Sequence, residues 1–192
     1  MASFTNFACH PTYLDSKYST VSADFPAGFY QKMDTETGGV NLFLQGAIGG
    51  WVQPEGDPGN YEMALRRGKE LATVVQDALK NGKNSAETTV RIKTLPISFR
   101  LDNEGWKQLA AIGTIKRSLG ESVDTELAWF AIGDAQFATH PGETTPWHGL
   151  ETKKMMRTEG PKFVLGLGLD ALGYILKPEY FDDPNLPHAP YL

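Results

Sequence analysis

The chain has 192 residues, a hydrophobic share of 41%, a charged share of 21% and a formal net charge of −5. That length accommodates one domain with a substantial core. No basic run exceeds Arg66-Arg67 or Lys153-Lys154, which argues against a phosphate-tracking surface and a nucleic-acid partner. No apolar run approaches the ~20 residues that span a bilayer.

One cysteine, Cys9, rules out an internal disulfide and a thiolate zinc site. It lies in an apolar run and reads as a small buried hydrophobe, not a nucleophile. The N-terminus has neither the basic region nor the long apolar core of a signal peptide. The chain enters a strand-like run almost at once and ends in a proline-rich extended segment, 184–192, so both ends read as interrupted.

Residues 4–9 predict a short buried strand that stops at His10-Pro11-Thr12, where Pro11 holds His10 extended and ends the ladder. Residues 13–22 read as a loop. Residues 23–33 predict a helix, with Asp24 as N-cap and Pro26 in the first turn. Gly38-Gly39 marks a turn. Val40–Gln45 predicts a second buried strand, running into the glycine-rich loop 46–54, which can bring backbone N–H groups close to a ligand. It lacks the Lys-Ser/Thr of a nucleotide loop. Gly49, Gly50 and Gln53 are its candidates for contacting a substrate or an oxyanion.

Tyr61–Lys80 predicts a covering helix, with Ala64, Gly68, Leu71, Val75, Ala78 and Leu79 on one face, Asn60 capping the start and Asn81-Gly82 the end. Residues 88–101 alternate apolar with polar, broken at Leu95-Pro96, which predicts one edge strand or two strand pieces. A short helix is expected at 106–112, capped by Asp102 or Asn103. Residues 119–126 read as a polar connection and 127–137 as one buried strand. Residues 139–148 form a polar turn that sets Glu143 between His140 and His148. Residues 152–159 are charged and expected on the surface. Residues 163–169 predict a buried strand, followed directly by 170–176.

No internal repeat or domain boundary appears, so residues 1–192 read as a single domain. The fold class is α/β, with a mixed α+β arrangement also compatible: a buried mixed sheet covered by helices. His10, the glycine-rich loop, Glu143 and the segment 170–174 each follow a strand, and in α/β sheets such C-terminal ends gather the site. An imidazole and a carboxylate suit Zn²⁺. A tyrosine oxygen is a rarer ligand that can also donate to an oxyanion. Spacing alone leaves open a solvated polar turn, since no H-E-x-x-H occurs.

Five segments occur in one order: Asn6-Phe7-Ala8-Cys9-His10-Pro11-Thr12, Ser22-Ala23-Asp24-Phe25-Pro26, Leu42-Phe43-Leu44-Gln45-Gly46-Ala47, Pro141-Gly142-Glu143, and Gly166-Leu167-Gly168-Leu169-Asp170-Ala171-Leu172-Gly173-Tyr174-Ile175. Together they resemble the neutral/alkaline non-lysosomal ceramidase family. The resemblance implies a zinc ion held by two histidines, a glutamate and a tyrosine, and water-driven cleavage of an N-acyl amide bond in a lipid or small-molecule substrate. Carried over by motif, the ligands are His10, Glu143 and Tyr174, which also form the implied catalytic set. The family's first zinc histidine lies upstream of anything matched here, so another chain or segment is expected to supply it. On this reading the chain is a central portion of the catalytic domain, and His140, Asp24 and Asp170 are expected behind the ligands, with His148 there or on the surface. The family carries a serine before the proline of the glycine-rich loop. Here Gly49-Gly50-Trp51-Val52-Gln53-Pro54 has none, so the substrate is expected to differ. The family is exported, which implies a secreted or periplasmic protein. The departures also leave an alternative: a non-catalytic or assembly module with a degenerate site, or a hydrolase of another amide or ester.

Overall fold

The computed structural model describes residues 2–14, 18–50, 52–55, 59–117, 119–183 and 185; Trp51 of the glycine-rich loop and nearly all of the proline-rich C-terminal segment lie outside these. In chain order the elements are β1 (Ala2–Phe7), α1 (Phe25–Thr37), β2 (Val40–Gln45), α2 (Tyr61–Lys80), β3 (Val90–Arg100), α3 (Glu104–Ala111), β4 (Ser122–Ile132), β5 (Ala135–Thr139), β6 (Glu143–Thr144), α4 (Pro146–Met155), β7 (Lys162–Leu165), β8 (Tyr174–Ile175) and α5 (Pro178–Phe181). β1 and β2 pair in parallel. β3, β4, β5 and β7 form a mixed ladder in that order, antiparallel except for β5 with β7. The two-residue strands β6 and β8 pair in parallel. This is a mixed α/β architecture whose sheets are covered by helices, as the sequence predicts.

The helices start where polar side chains satisfy their first N–H groups. Asp24 accepts from Phe25 N at 2.7 Å and from Leu14 N at 2.8 Å, tying the preceding loop to the cap. Asn60 accepts from Met63 N at 2.9 Å. α1 ends at Gly38, in the left-handed region that favours glycine. α1 lies across α2, and Phe29, Met33 and Ala72 form a fully buried cluster completed by Phe43 of β2. Phe43 meets Phe25 and Phe29 edge-on at 5.8 and 5.7 Å, a favoured aromatic geometry. α1 has 13 residues and α2 has 20, so the apolar stripe of α2 outruns its cover and Ala78 and Leu79 are exposed.

Several boundaries differ from the sequence pattern for physical reasons. The run 127–137 is two strands, because the chain reverses at Gly133-Asp134 with Gly133 at φ 60, placing Ile132 opposite Ala135; a two-residue turn of this kind suits the twist of a hairpin. The supposed polar connection supplies the first part of β4, whose residues 122–126 pair with 96–100 of β3. Cross-strand pairing overrides their polar composition. β3 is one continuous edge strand including Pro96, which an edge tolerates. The polar turn ends early, because Pro146 opens α4, and α4 takes in the first residues of the charged stretch 152–159. β7 stops at Leu165, since Leu167 and Leu169 take positive φ values of 55 and 71. β1 and β2 are only half-buried, with Phe4, Phe7, Val40 and Leu42 exposed. Among the described residues no helix is long and apolar enough to cross a membrane.

Where α1 crosses α2, Gly28 and Gly68 let the backbones touch. A Cβ on Gly68 would overlap the Phe25 carbonyl oxygen, and one on Gly28 the Leu65 carbonyl oxygen. In an open helix, glycine to alanine gains about 1 kcal/mol. Here the overlap forces two packed backbones apart, and overpacking costs about 1–3 kcal/mol. Gly68→Ala is therefore expected to destabilise the chain, seen as a lower urea midpoint with an unchanged slope.

Candidate active site

Two side-chain amides join the ladders and bring the strand ends together. Asn6 of β1 donates from Nδ2 to the carbonyls of Leu44, Gln45 and Val164, at 3.1, 3.2 and 3.0 Å. Gly166 N adds a backbone bond to Gln45 O at 3.0 Å. Gln45 then holds the peptide of Cys9, donating from Nε2 to Cys9 O at 2.8 Å and accepting from Cys9 N at 3.2 Å. Neither amide was singled out by sequence reasoning. The available signal was a polar residue on an otherwise apolar strand, immediately before a functional turn. Cys9 is buried, and burial, aided by the Asp24 carboxylate, pushes its thiol up to about 11; a thiol held protonated is a poor nucleophile.

The clamp fixes His10. Its backbone N–H donates to Val52 O at 2.7 Å, and Nδ1 meets the same carbonyl at 2.9 Å. A carbonyl only accepts, so Nδ1 carries a proton. Nε2 then faces Glu143 Oε2 at 2.8 Å across a sequence separation of 133. Glu143 is set by its own ladder: its N–H donates to Gly173 O at 2.8 Å, and its Cα lies opposite that of Tyr174. Partners in register leave a parallel ladder on the same side, so Tyr174 stands beside Glu143. Tyr174 also lines an apolar cavity of about 300 Å³ with Phe99, Trp106, Leu172 and Phe181.

The fold thus brings His10 to Glu143 and sets Tyr174 next to it, the three positions singled out in the sequence. With Nδ1 already donating, Nε2 and Oε2 are two acceptors at hydrogen-bonding distance unless something positive lies between them. A second ring proton or a proton on the carboxyl meets that requirement at 2.8 Å; a divalent cation, which takes each such donor at about 2.0–2.2 Å, would sit beside the pair and not on the line between the two atoms. One imidazole nitrogen, one carboxylate oxygen and a neighbouring phenol are donors that suit a borderline divalent cation. Among the described residues no three His, Cys, Asp or Glu side chains converge.

The remaining expected residues take other places. Gly49 N donates to Thr144 O at 2.8 Å and Gly50 N to Ile48 O at 2.8 Å, so both N–H groups are engaged within the chain and are not turned toward a ligand. A Cβ on Gly49 would overlap the Glu143 carbonyl oxygen, which makes the absence of a side chain there a packing requirement of the turn. Gln53 is exposed. Asp24 caps α1, as described above. Asp170 is bound by Arg117, whose Nη1 donates to both carboxylate oxygens at 2.8 Å; the helix start and the ion pair, not the candidate ligands, account for these two carboxylates.

His140 lies behind the turn. Its Nδ1 meets Thr144 Oγ1 at 2.6 Å and its Nε2 meets Thr152 Oγ1 at 3.0 Å, so one imidazole spans from β6 to α4. Burial, helped by His148, pushes its pKa down to about 4. His148 bonds Thr145 Oγ1 at 2.8 Å, and its pKa is lowered by burial and the Lys177 ammonium.

This geometry defines a mixed α/β unit that gathers an imidazole and a carboxylate at its parallel strand ends. Among solved structures, a ceramidase complexed with C2 superposes at a TM-score of 0.64 with 14% identity, covering 94% of this chain and 40% of that one. The neutral ceramidase from Pseudomonas aeruginosa superposes at 0.62 with 14% identity, covering 91% of this chain and 38% of that one. At this identity the likeness is one of fold. The chain spans about two-fifths of the length of these ceramidases. No protein-family model matches the sequence, and no curated protein does.

Between pH 6.5 and about 4 the unfolded chain binds a proton that folded His140 does not, so this group's contribution to stability falls as pH is lowered through that window. The slope from one such group approaches ~1.4 kcal/mol per pH unit. Replacing His140 by Gln removes that component, so the fall in urea stability from pH 6.5 to 4 should be shallower in H140Q than in the parent. Equal slopes would remove His140 from the acid response.

Proposed function

We propose that this chain acts, in whole or as part of a larger catalytic unit, as a ceramidase-like zinc-dependent hydrolase of an N-acyl amide bond. The observation that carries the reading is the approach of His10 Nε2 to Glu143 Oε2 at 2.8 Å, with Nδ1 already committed to Val52. His10, Glu143 and Tyr174 would hold the ion. A bound zinc ion supplies an activated water at neutral pH and polarises a carbonyl.

The chain's own residues supply orientation. Val52 O fixes the tautomer and direction of His10, a common form of support for an imidazole ligand. Gly173 O and the β6–β8 ladder fix Glu143 beside Tyr174. Tyr174 serves as ligand or as donor to the oxygen of the scissile carbonyl. The apolar cavity it lines suits the acyl part of a lipid amide. The fold likeness to neutral ceramidases supports the hydrolase class, and the family resemblance carries with it a role in sphingolipid metabolism and export to the cell exterior or periplasm.

A second reading is supported by the convergence of only two strong donors among the described residues and by the engaged N–H groups of Gly49 and Gly50. On it, the chain is a non-catalytic or assembly module of the same fold, or acts on another amide or ester. The full chain, assayed for bound metal and for hydrolysis of N-acyl substrates of graded chain length, separates the two. The hydrolase reading expects bound zinc, with His10→Ala weakening binding by more than the ~10–100-fold typical of losing only a supporting residue. Absence of zinc above background, with thermal stability unchanged by chelator, overturns it. Zinc binding without turnover of any substrate favours the module.

A further inference from the structure

Beneath α4 lies a cavity that the hydrolase reading leaves unused. Its volume is about 330 Å³, the lower end of the roughly 300–1,000 Å³ of small-molecule sites. Its walls come from four parts of the chain: the end of β1, β7, the glycine-rich loop and α4. Asn6 lines it and alternates along β1 with Phe7, which meets Phe25 of α1 at 6.2 Å. The cavity therefore lies on the side of β1 turned away from α1. Val52 lines it too, but His10, Glu143 and Tyr174 do not.

Small residues leave the space, and close contacts fix its shape. A Cβ on Gly149 of α4 would come within 2.9 Å of Ala47 Cβ, and one on Gly46 within 2.8 Å of Ala8 Cβ. The helix, the loop and the end of β1 already touch at these points. The cavity is the room left beside those contacts, and no further closure of α4 would remove it. A pre-formed, mostly apolar hollow is the usual form of a ligand site.

Two polar groups distinguish it from a packing void. The Asn6 nitrogen is committed to three carbonyls, which assigns the amide, and its Oδ1 receives no hydrogen bond among the described residues. Lys153, half-buried, is the one charged residue among those lining the cavity. Its neighbour Lys154 is held by Glu151 at 2.6 Å. Among the described residues no carboxylate pairs with Lys153, although the chain has 23 acidic residues to 18 basic ones. An ammonium drawn partly out of water without a counter-ion is unfavourable, and an anion bound there would offset that cost. Val52, Pro146, Leu150 and Val164 supply apolar wall.

We propose that this cavity binds a single-chain aliphatic carboxylate, its chain against the apolar wall and its head group on the Lys153 ammonium. The proposal is independent of the hydrolase reading, because binding is measured without turnover and uses none of His10, Glu143 and Tyr174.

Calorimetric titration of the full chain with decanoate, kept below micelle-forming concentrations, tests it. Decanol supplies the same chain without the charge. Lys153→Met keeps an apolar stem and a good helix former while removing the ammonium. Ala8→Leu fills the cavity from a position where the side chain is exposed. The expected result is saturable binding of one decanoate per chain, weaker binding of decanol, and affinity lowered about tenfold or more by each variant, with the parent's circular dichroism retained. If Ala8→Leu fails to fold, Lys153→Met carries the test. Absence of saturable decanoate binding overturns the proposal. Decanol binding as tightly as decanoate, or binding unchanged in either folded variant, overturns it too.

Discussion

The Asn6 amide is the joint on which the rest of the structure depends. It reaches three carbonyls, two at the end of β2 and one on β7. No continuous backbone ladder links β1 to β7, so a side chain supplies the alignment a ladder would otherwise give. Gln45 repeats the device one step further, holding the Cys9 peptide from both sides. Hydrogen bonds among half-buried groups contribute only about 1 kcal/mol each on balance. Their larger effect is geometric: several bonds converging on two amides leave the strand ends a single relative position, and His10 and the Glu143 turn inherit it.

That joint explains how residues from opposite ends of the chain meet without a long structured loop between them. His10 is placed by β1 and β2, Glu143 by β6 and β8, and the two pairs are brought together where Gly49 N donates to Thr144 O. The packing at Gly49 leaves no room for a side chain. The glycine-rich loop therefore acts as a spacer that lets one backbone lie against another. His140 performs the equivalent task on the far side, holding Thr144 and Thr152 apart at fixed distance. Its burial keeps the imidazole neutral at neutral pH, so the turn bearing a carboxylate is buttressed without a second formal charge.

Much of this was legible in the sequence, and the illegible parts share a cause. The helical period of Tyr61–Lys80 and its Asn60 cap are local signals, and they appear as read. The apolar run Val40–Gln45 forms a strand with the bounds read, though a half-buried one. The meeting of His10 with Glu143 could be anticipated because each follows a strand, and parallel strands bring their ends to one edge. What could not be read were features set by partners distant in sequence. Residues 122–126 look like a connection until β3 lies beside them. Gly133 looks like one more small residue in an apolar run until the chain reverses there. Asp170 looks available to the site until Arg117 binds it from 53 residues away. The roles of Asn6 and Gln45 were hidden for the same reason: a polar side chain reveals its partner only once the strands are placed.

The segment 166–173 lies against the same turn. Leu167 and Leu169 are held in the left-handed region, and such residues cost of order 1–3 kcal/mol each. A conformation of that cost persists only when its surroundings over-determine it. They do so here: Leu167 N donates to Gly142 O, Gly168 N to His140 O and Leu172 N to Pro141 O. The Arg117 ion pair pins Asp170 in the middle. Each backbone bond lands on the turn that presents Glu143, with Gly173 O completing the set on Glu143 itself. The strain in one segment is thus the counterpart of rigidity in the other. A glycine at either leucine position would relieve the conformation at no cost to these backbone bonds, which leaves the leucine side chains, both exposed, as features that the turn's own architecture does not require.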